Sequence, residues 1–136
     1  MSSHISKLIR KLVIERAGNR CEYCRIPQAI TNYDFHIEHI IGIQHGGENS
    51  LENLAWCCAF CNWKKGPNIA TILDGEKQII PLFNPRSQKW FDHFETRGGH
   101  ITAKTDIGKA TIKLLEFNLP ERIEIRDVLT QAGYYP

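Results

Sequence analysis

Residues 35–40 read "FHIEHI", two histidines and a glutamate set among three large apolar residues. Phe35, Ile37 and Ile40 supply the apolar content of a strand, whereas His36, Glu38 and His39 are side chains that ligate metals or carry protons. The isoleucine-rich run continues through Ile43 and predicts a strand. The loop that follows, "QHGGENS" (44–50), is built of turn residues. Neighbours on a regular strand face opposite ways, so Glu38 and His39 serve one site only if the strand bends or ends near His39; Gly42 suits such an exit.

A Cys-x-x-Cys brackets this stretch on each side, Cys21/Cys24 in "CEYC" and Cys58/Cys61 in "CCAFCNWKKGP" (57–67). Tetrahedral zinc needs two such dithiolate corners brought together. The 33 residues between Cys24 and Cys58 exceed the roughly 15–20 of common zinc ribbons, so a segment that includes "FHIEHI" is inserted between the corners. Four thiolates leave zinc no open position. This metal is therefore architectural, and hydrolytic chemistry requires a second ion. Cys57 cannot share the corner of its neighbour Cys58 and reads as a small buried residue.

Around this core, Ile5, Leu8, Ile9, Leu12 and Val13 recur at helical spacing and predict an amphipathic helix over 5–18, stopped by Gly18-Asn19. "LENLAW" (51–56) suggests a short second strand, and the second knuckle opens a short helix that Gly66 and Pro67 terminate. Farther on, "KQIIPLFNP" (77–85) predicts a strand running into a turn, and "HFETRGGHITAKT" (93–105) a hairpin around Gly98-Gly99. Residues 106–118 and 120–132 predict two closing helices. The fold class is α+β, a single domain over 1–136: an N-terminal helix, a core over 20–67 and an extension over 70–136.

A composition of 42% hydrophobic and 24% charged residues excludes disordered and coiled-coil classes. No apolar run approaches membrane-spanning length, and the charged N-terminus does not read as a signal peptide, so the expected compartment is the cytoplasm, with no membrane partner. Thiols stay reduced there, which favours metal ligation over disulfides. The net charge of +2 is cancelled by a zinc–tetrathiolate centre of roughly −2. Affinity for nucleic acid must then come from where the charges sit. Lys7, Arg10, Lys11, Arg16, Arg20 and Arg25 face only Glu15 and Glu22 in the first 25 residues.

The run "HIEHIIGIQHGGENSLENLAWCCAFCNWKKG" (36–66), with "CEYC" before it, resembles the HNH endonucleases, whose ββα-metal fold is also called the His-Me finger. The resemblance rests on the acidic residue before His, the Gly-Gly loop, Asn-Leu, and Cys-x-x-Cys-Asn-x-x-Lys-Gly in order. It implies that His39 is the general base, that Glu38 and Asn62 hold a catalytic divalent ion, and that Asn53 braces the loop through backbone hydrogen bonds. It also implies that Cys21, Cys24, Cys58 and Cys61 are the structural zinc set. Many members carry Asp where this chain has Glu38, and Pro where it has Gly42. One carboxylate and one amide carbonyl suit Mg²⁺ or Mn²⁺. The expected activity is hydrolysis of DNA phosphodiesters, limited to nicking by a single site per chain. The alternatives are a zinc-knuckle module that binds nucleic acid without turnover, or a nuclease acting on RNA. Lys64, Lys65, Arg10 and Lys11 are the expected phosphate contacts. Trp63 is expected to pack and His45, His93 and His100 to lie at the surface; His36, on the Glu38 face by alternation, has no assigned role, with a third ligand or a support left open.

Overall fold

In the computed structural model, which describes residues 4–75 and 77–136, the central unit is a hairpin followed by a helix. β1 (Phe35–His39) and β2 (Leu54–Cys58) are antiparallel, with Phe35 opposite Cys58 and His39 opposite Leu54. α2 (Ala59–Lys65) follows β2 directly. The chain is mixed α+β, and its core is the ββα unit with a four-cysteine cluster. β2 is buried at every position. That explains why "LENLAW" divides: Leu51–Asn53 form a 3₁₀ turn, and the strand instead runs on into Cys57 and Cys58.

β1 ends at His39, and beyond it the chain turns through Gly42 into a single 3₁₀ turn at Ile43–His45. Gly46 takes a left-handed φ of 90°. A Cβ on Gly47 would overlap the Ile41 carbonyl, so the Gly-Gly pair is fixed by close backbone approach as well as by turn geometry.

α1 (Lys7–Arg16) begins at Ser6, whose hydroxyl accepts from the Ile9 amide at 3.2 Å, and ends in left-handed Gly18 and Asn19. Its buried stripe is narrower than the sequence pattern suggests. Val13 is fully buried and Ile5 and Ile9 pack on the core, but Leu8 and Leu12 are exposed, since this helix rests on β2 alone among the regular elements with substantial contact. Arg16 ties it there, donating to the carbonyls of Leu51 (2.9 Å) and Leu54 (2.8 Å).

The second half supplies two more hairpins and three helices. β3 (Ala70–Ile72) pairs with β4 (Ile79–Pro81), and β5 (Phe94–Arg97) with β6 (His100–Ala103). A one-turn α3 (Trp90–His93), α4 (Asp106–Leu115) and α5 (Pro120–Gln131) complete the chain. α4 starts on Thr105, whose hydroxyl accepts from Gly108, and α5 starts with Pro120, where the missing N–H costs nothing. Phe94 packs between Trp90 (ring centroids 4.8 Å apart) and Phe117 (5.7 Å), and buried residues of both halves share one apolar cluster. Among the described residues no helix is long and apolar enough to cross a membrane.

The β5–β6 turn sits directly on α5. Gly98 has φ 58°, and a Cβ on Gly99 would strike the backbone of Ile123, Arg126 and Asp127. None of these is a flexible chain end that can yield. Gly99→Ala is therefore expected to lower stability by about 1–3 kcal/mol, as overpacking does, read as a fall in the denaturant midpoint. Gly75→Ala, open to solvent although at φ 78°, serves as the comparison and should cost less.

Candidate active site and metal centre

The first knuckle is a tight turn. The Cys24 amide points at Cys21 Sγ (3.4 Å), the Arg25 amide donates to the Cys21 carbonyl (2.8 Å), and Arg25 itself takes a left-handed φ of 68°. The second knuckle spans the end of β2 and the first turn of α2. Together they bring the sulfurs of Cys21, Cys24, Cys58 and Cys61 within 4.8 Å of one another, all four buried, with Cys24 and Cys58 at 3.7 Å. Tetrahedral zinc with bonds of about 2.3 Å places its sulfurs roughly 3.8 Å apart. The cluster fits structural zinc. Cys57 lies outside the set, its thiol turned to the Cys58 carbonyl (3.4 Å), and burial pushes that thiol up.

The cluster is held from the C-terminal half. Tyr135 Oη donates to the Cys24 carbonyl (2.7 Å), Trp90 Nε1 to the Tyr23 carbonyl (2.7 Å), and Arg122 Nη2 to Cys61 Sγ (3.1 Å). Arg86 pairs with Glu22, which in turn accepts from the Trp56 amide (2.9 Å). Burial works against the charged form of Arg122, but the negative sulfurs of Cys61, Cys24 and Cys58 outweigh it and hold the guanidinium above its ordinary range.

Asn53, nearly buried, organises the loop between the strands. Its Oδ1 accepts from the Ile41 amide (2.8 Å), and its Nδ2 donates to the carbonyls of Ile41 and Glu48 (both 2.9 Å). Its own carbonyl accepts from Ile40 (2.9 Å). This fixes the end of β1 relative to the Gly-Gly loop. His39 is half-buried there, with Nε2 2.6 Å from Asn49 Oδ1. An amide oxygen only accepts, so Nε2 carries the proton and Nδ1 keeps its lone pair. Asn49 lies in "GGENS", where the sequence reads only as a turn; nothing in its spacing marks a partner for His39.

Glu38 is 5% exposed, and its Oε1 lies 2.6 Å from the ammonium of Lys65, which is 1% exposed. The same ammonium donates to the Ile40 carbonyl (2.9 Å). Burial raises the Glu38 carboxyl, with Lys65 opposing. The phosphate contact expected of Lys65 is thus corrected: its charge is consumed inside the protein, because α2 turns this residue toward β1. Lys64 is paired with Glu116 at 2.6 Å, Lys11 is exposed near Glu15 (3.8 Å), and Arg10 lies over the Trp56 ring (5.3 Å). Asn62 is half-buried on α2, the helix whose Lys65 reaches Glu38. Trp63 does not pack: it is 75% exposed, with the Lys64 ammonium 4.8 Å from its ring centre. His36 is exposed while Glu38 is buried, so alternation does not give them one environment. His45 and His100 are exposed, but His93 is half-buried and bonds Thr105 (2.7 Å).

Removing one member of the Glu38–Lys65 pair strands the other in the interior. Lys65→Met is expected to cost about 3–5 kcal/mol. Adding Glu38→Gln to it should recover a substantial part of that loss in chemical denaturation, since the double variant buries no unpaired charge.

The family model described as HNH endonuclease matches residues 21–68. No curated protein and no solved structure gives a significant match. The matched span begins at Cys21, takes in β1, the Gly-Gly loop and β2, and ends just past α2. The ββα unit and its four-cysteine centre are therefore the part of the chain that is similar to the HNH endonucleases, and residues 1–20 and 69–136 lie outside the match.

Proposed function

We propose that the protein is a metal-dependent endonuclease that hydrolyses DNA phosphodiesters, with His39 as general base. The observation that carries this reading is the state of His39: a half-buried imidazole at the end of β1, within the HNH match, whose Nε2 is engaged by Asn49 and whose Nδ1 is left basic. An imidazole with one ring nitrogen unprotonated is suited to taking a proton from water. Asn53 keeps the backbone on which His39 stands in a fixed relation to the loop.

The catalytic ion would be held by Glu38 and Asn62. The donor set suits it: one carboxylate and one amide carbonyl, hard oxygens that leave positions for water and phosphate. Glu38 Oε2 is buried and has no hydrogen-bond partner among the described residues, an acceptor that a cation would satisfy. When bound, such an ion polarises the phosphate and stabilises the departing 3′ oxygen. Of the expected phosphate contacts Lys64 is already paired with Glu116 and Arg10 and Lys11 lie on α1, and the exposed Trp63 beside Asn62 offers a face on which a base can stack. A single site per chain leads to nicking.

A second reading, a binding module without turnover, is favoured by one observation. Lys65 already neutralises Glu38, and a neutralised carboxylate is a poorer cation ligand. Plasmid relaxation separates the two. Supercoiled DNA with Mg²⁺ or Mn²⁺ should be converted to open circles, EDTA should stop it, and His39→Ala should lower the rate by about 10²–10⁴-fold with zinc content unchanged. Retarded but uncut DNA under every metal would select the binding module, and cleavage of RNA alone would reassign the substrate.

Asn49→Ala tests the bracing of His39 directly. The rate of nicking should fall by on the order of 10-fold or more, in keeping with the sensitivity of catalysis to misplacement, while thermal stability stays near that of the native protein because the residue is exposed.

A further inference from the structure

α5 carries two arginines one turn apart, Arg122 and Arg126, that are 4% and 1% exposed. No carboxylate lies within ion-pair distance of either among the described residues. Arg122 donates to the carbonyls of Leu115 (2.7 Å) and Glu116 (3.1 Å), and Arg126 to those of Gly99 (2.7 Å) and Phe117 (2.6 Å). These bonds satisfy N–H groups but carry no countercharge. A buried unpaired charge is among the costliest things a fold can contain, so an anion must face this pair.

The anion is the sulfur cluster. Arg122 Nη2 contacts Cys61 Sγ at 3.1 Å, and both arginines line, with Cys24, Cys58, Ile26 and Tyr33, a narrow gap beside the cysteines with no room for water. Zinc with four thiolates carries a formal charge of roughly −2, and two guanidinium groups balance it. Neutral thiols would not.

We propose that Arg122 and Arg126 are the built-in countercharge of the metal–thiolate centre, so that α5, far outside the HNH match, is part of the zinc site and sets how tightly the metal is kept. Arg122 acts through a direct N–H···S bond. Arg126 acts through charge across the gap. The C-terminal segment is then a latch on the metal: the guanidinium bonds Cys61 Sγ directly and covers it on the side of α5, where a competing chelator would otherwise reach it.

The test is the rate of zinc loss from the full-length zinc-loaded protein to an excess of chromophoric chelator, in variants first shown to be folded by circular dichroism. Arg122→Met is expected to release zinc on the order of 10–100-fold faster, the usual effect of losing a group that supports a metal ligand. Arg122→Lys, which keeps the charge but not the fork, should fall between it and the native protein. Arg126→Met should also accelerate release, and decides the matter if Arg122→Met does not fold. Arg86→Met combined with Glu22→Gln removes a different anchor of the C-terminal half without leaving the largely buried Glu22 carboxylate unpaired beside Cys21, and should accelerate release far less than Arg122→Met. Native release rates in folded Arg122 and Arg126 variants would overturn the proposal. So would equal acceleration by the Arg86→Met/Glu22→Gln variant, which would mean general loosening, or a native chain that takes up no zinc.

Discussion

Four sulfur atoms decide where most of this chain can go. Cys21 and Cys24 sit in a turn after α1, and Cys58 and Cys61 at the junction of β2 and α2, so drawing their sulfurs within 4.8 Å closes the 24–58 segment into a loop. That closure positions β1 against β2 and aims α2 at the end of β1. A small core would otherwise struggle to offset the entropy of ordering a segment of that length, and a metal bound only in the folded state supplies the difference.

The residues of the candidate active site depend on this frame without sharing its metal. Asn62 immediately follows the last cluster cysteine, and Lys65 follows one turn later, reaching Glu38 across the helix–strand contact. His39 stands where β1 ends, on backbone that Asn53 holds by hydrogen bonds on both sides of the loop. The sulfur cluster carries the architecture, and a defect there reaches Asn62 and the Glu38–Lys65 pair by displacing α2.

The C-terminal half meets the same frame from outside. Three of its bonds to the first half converge on the knuckle: Tyr135 on Cys24, Trp90 on Tyr23, Arg122 on Cys61. This convergence gives the 70–136 extension a physical reason to be attached where it is. A thiolate cluster with a net negative charge in an apolar interior needs countercharge, and α5 provides it from more than sixty positions away in the chain.

The sequence by itself determined the hairpin–helix unit, the four sulfurs as a set and the Gly-Gly loop, because each depends on local spacing: CxxC closes a turn, a β-rich run forms a strand, and paired glycines permit backbone conformations that other residues resist. Likewise the β5–β6 hairpin and the two long C-terminal helices follow from turn residues and helical periodicity. Tertiary structure alone decided which charges are spent inside. Lys65 reads as a surface cation from its neighbours but is turned inward by the helix that the cluster orients; Trp63, two residues earlier, is turned outward by the same rotation, and Leu8 and Leu12 are left exposed because α1 has only one strand to lie on. The partners Asn49 for His39 and Arg122 for Cys61 are equally invisible in one dimension. Hydrogen bonds and ion pairs across the fold follow from distance in space, and a lone Asn in a turn or a lone Arg in a helix carries no mark of what it will face.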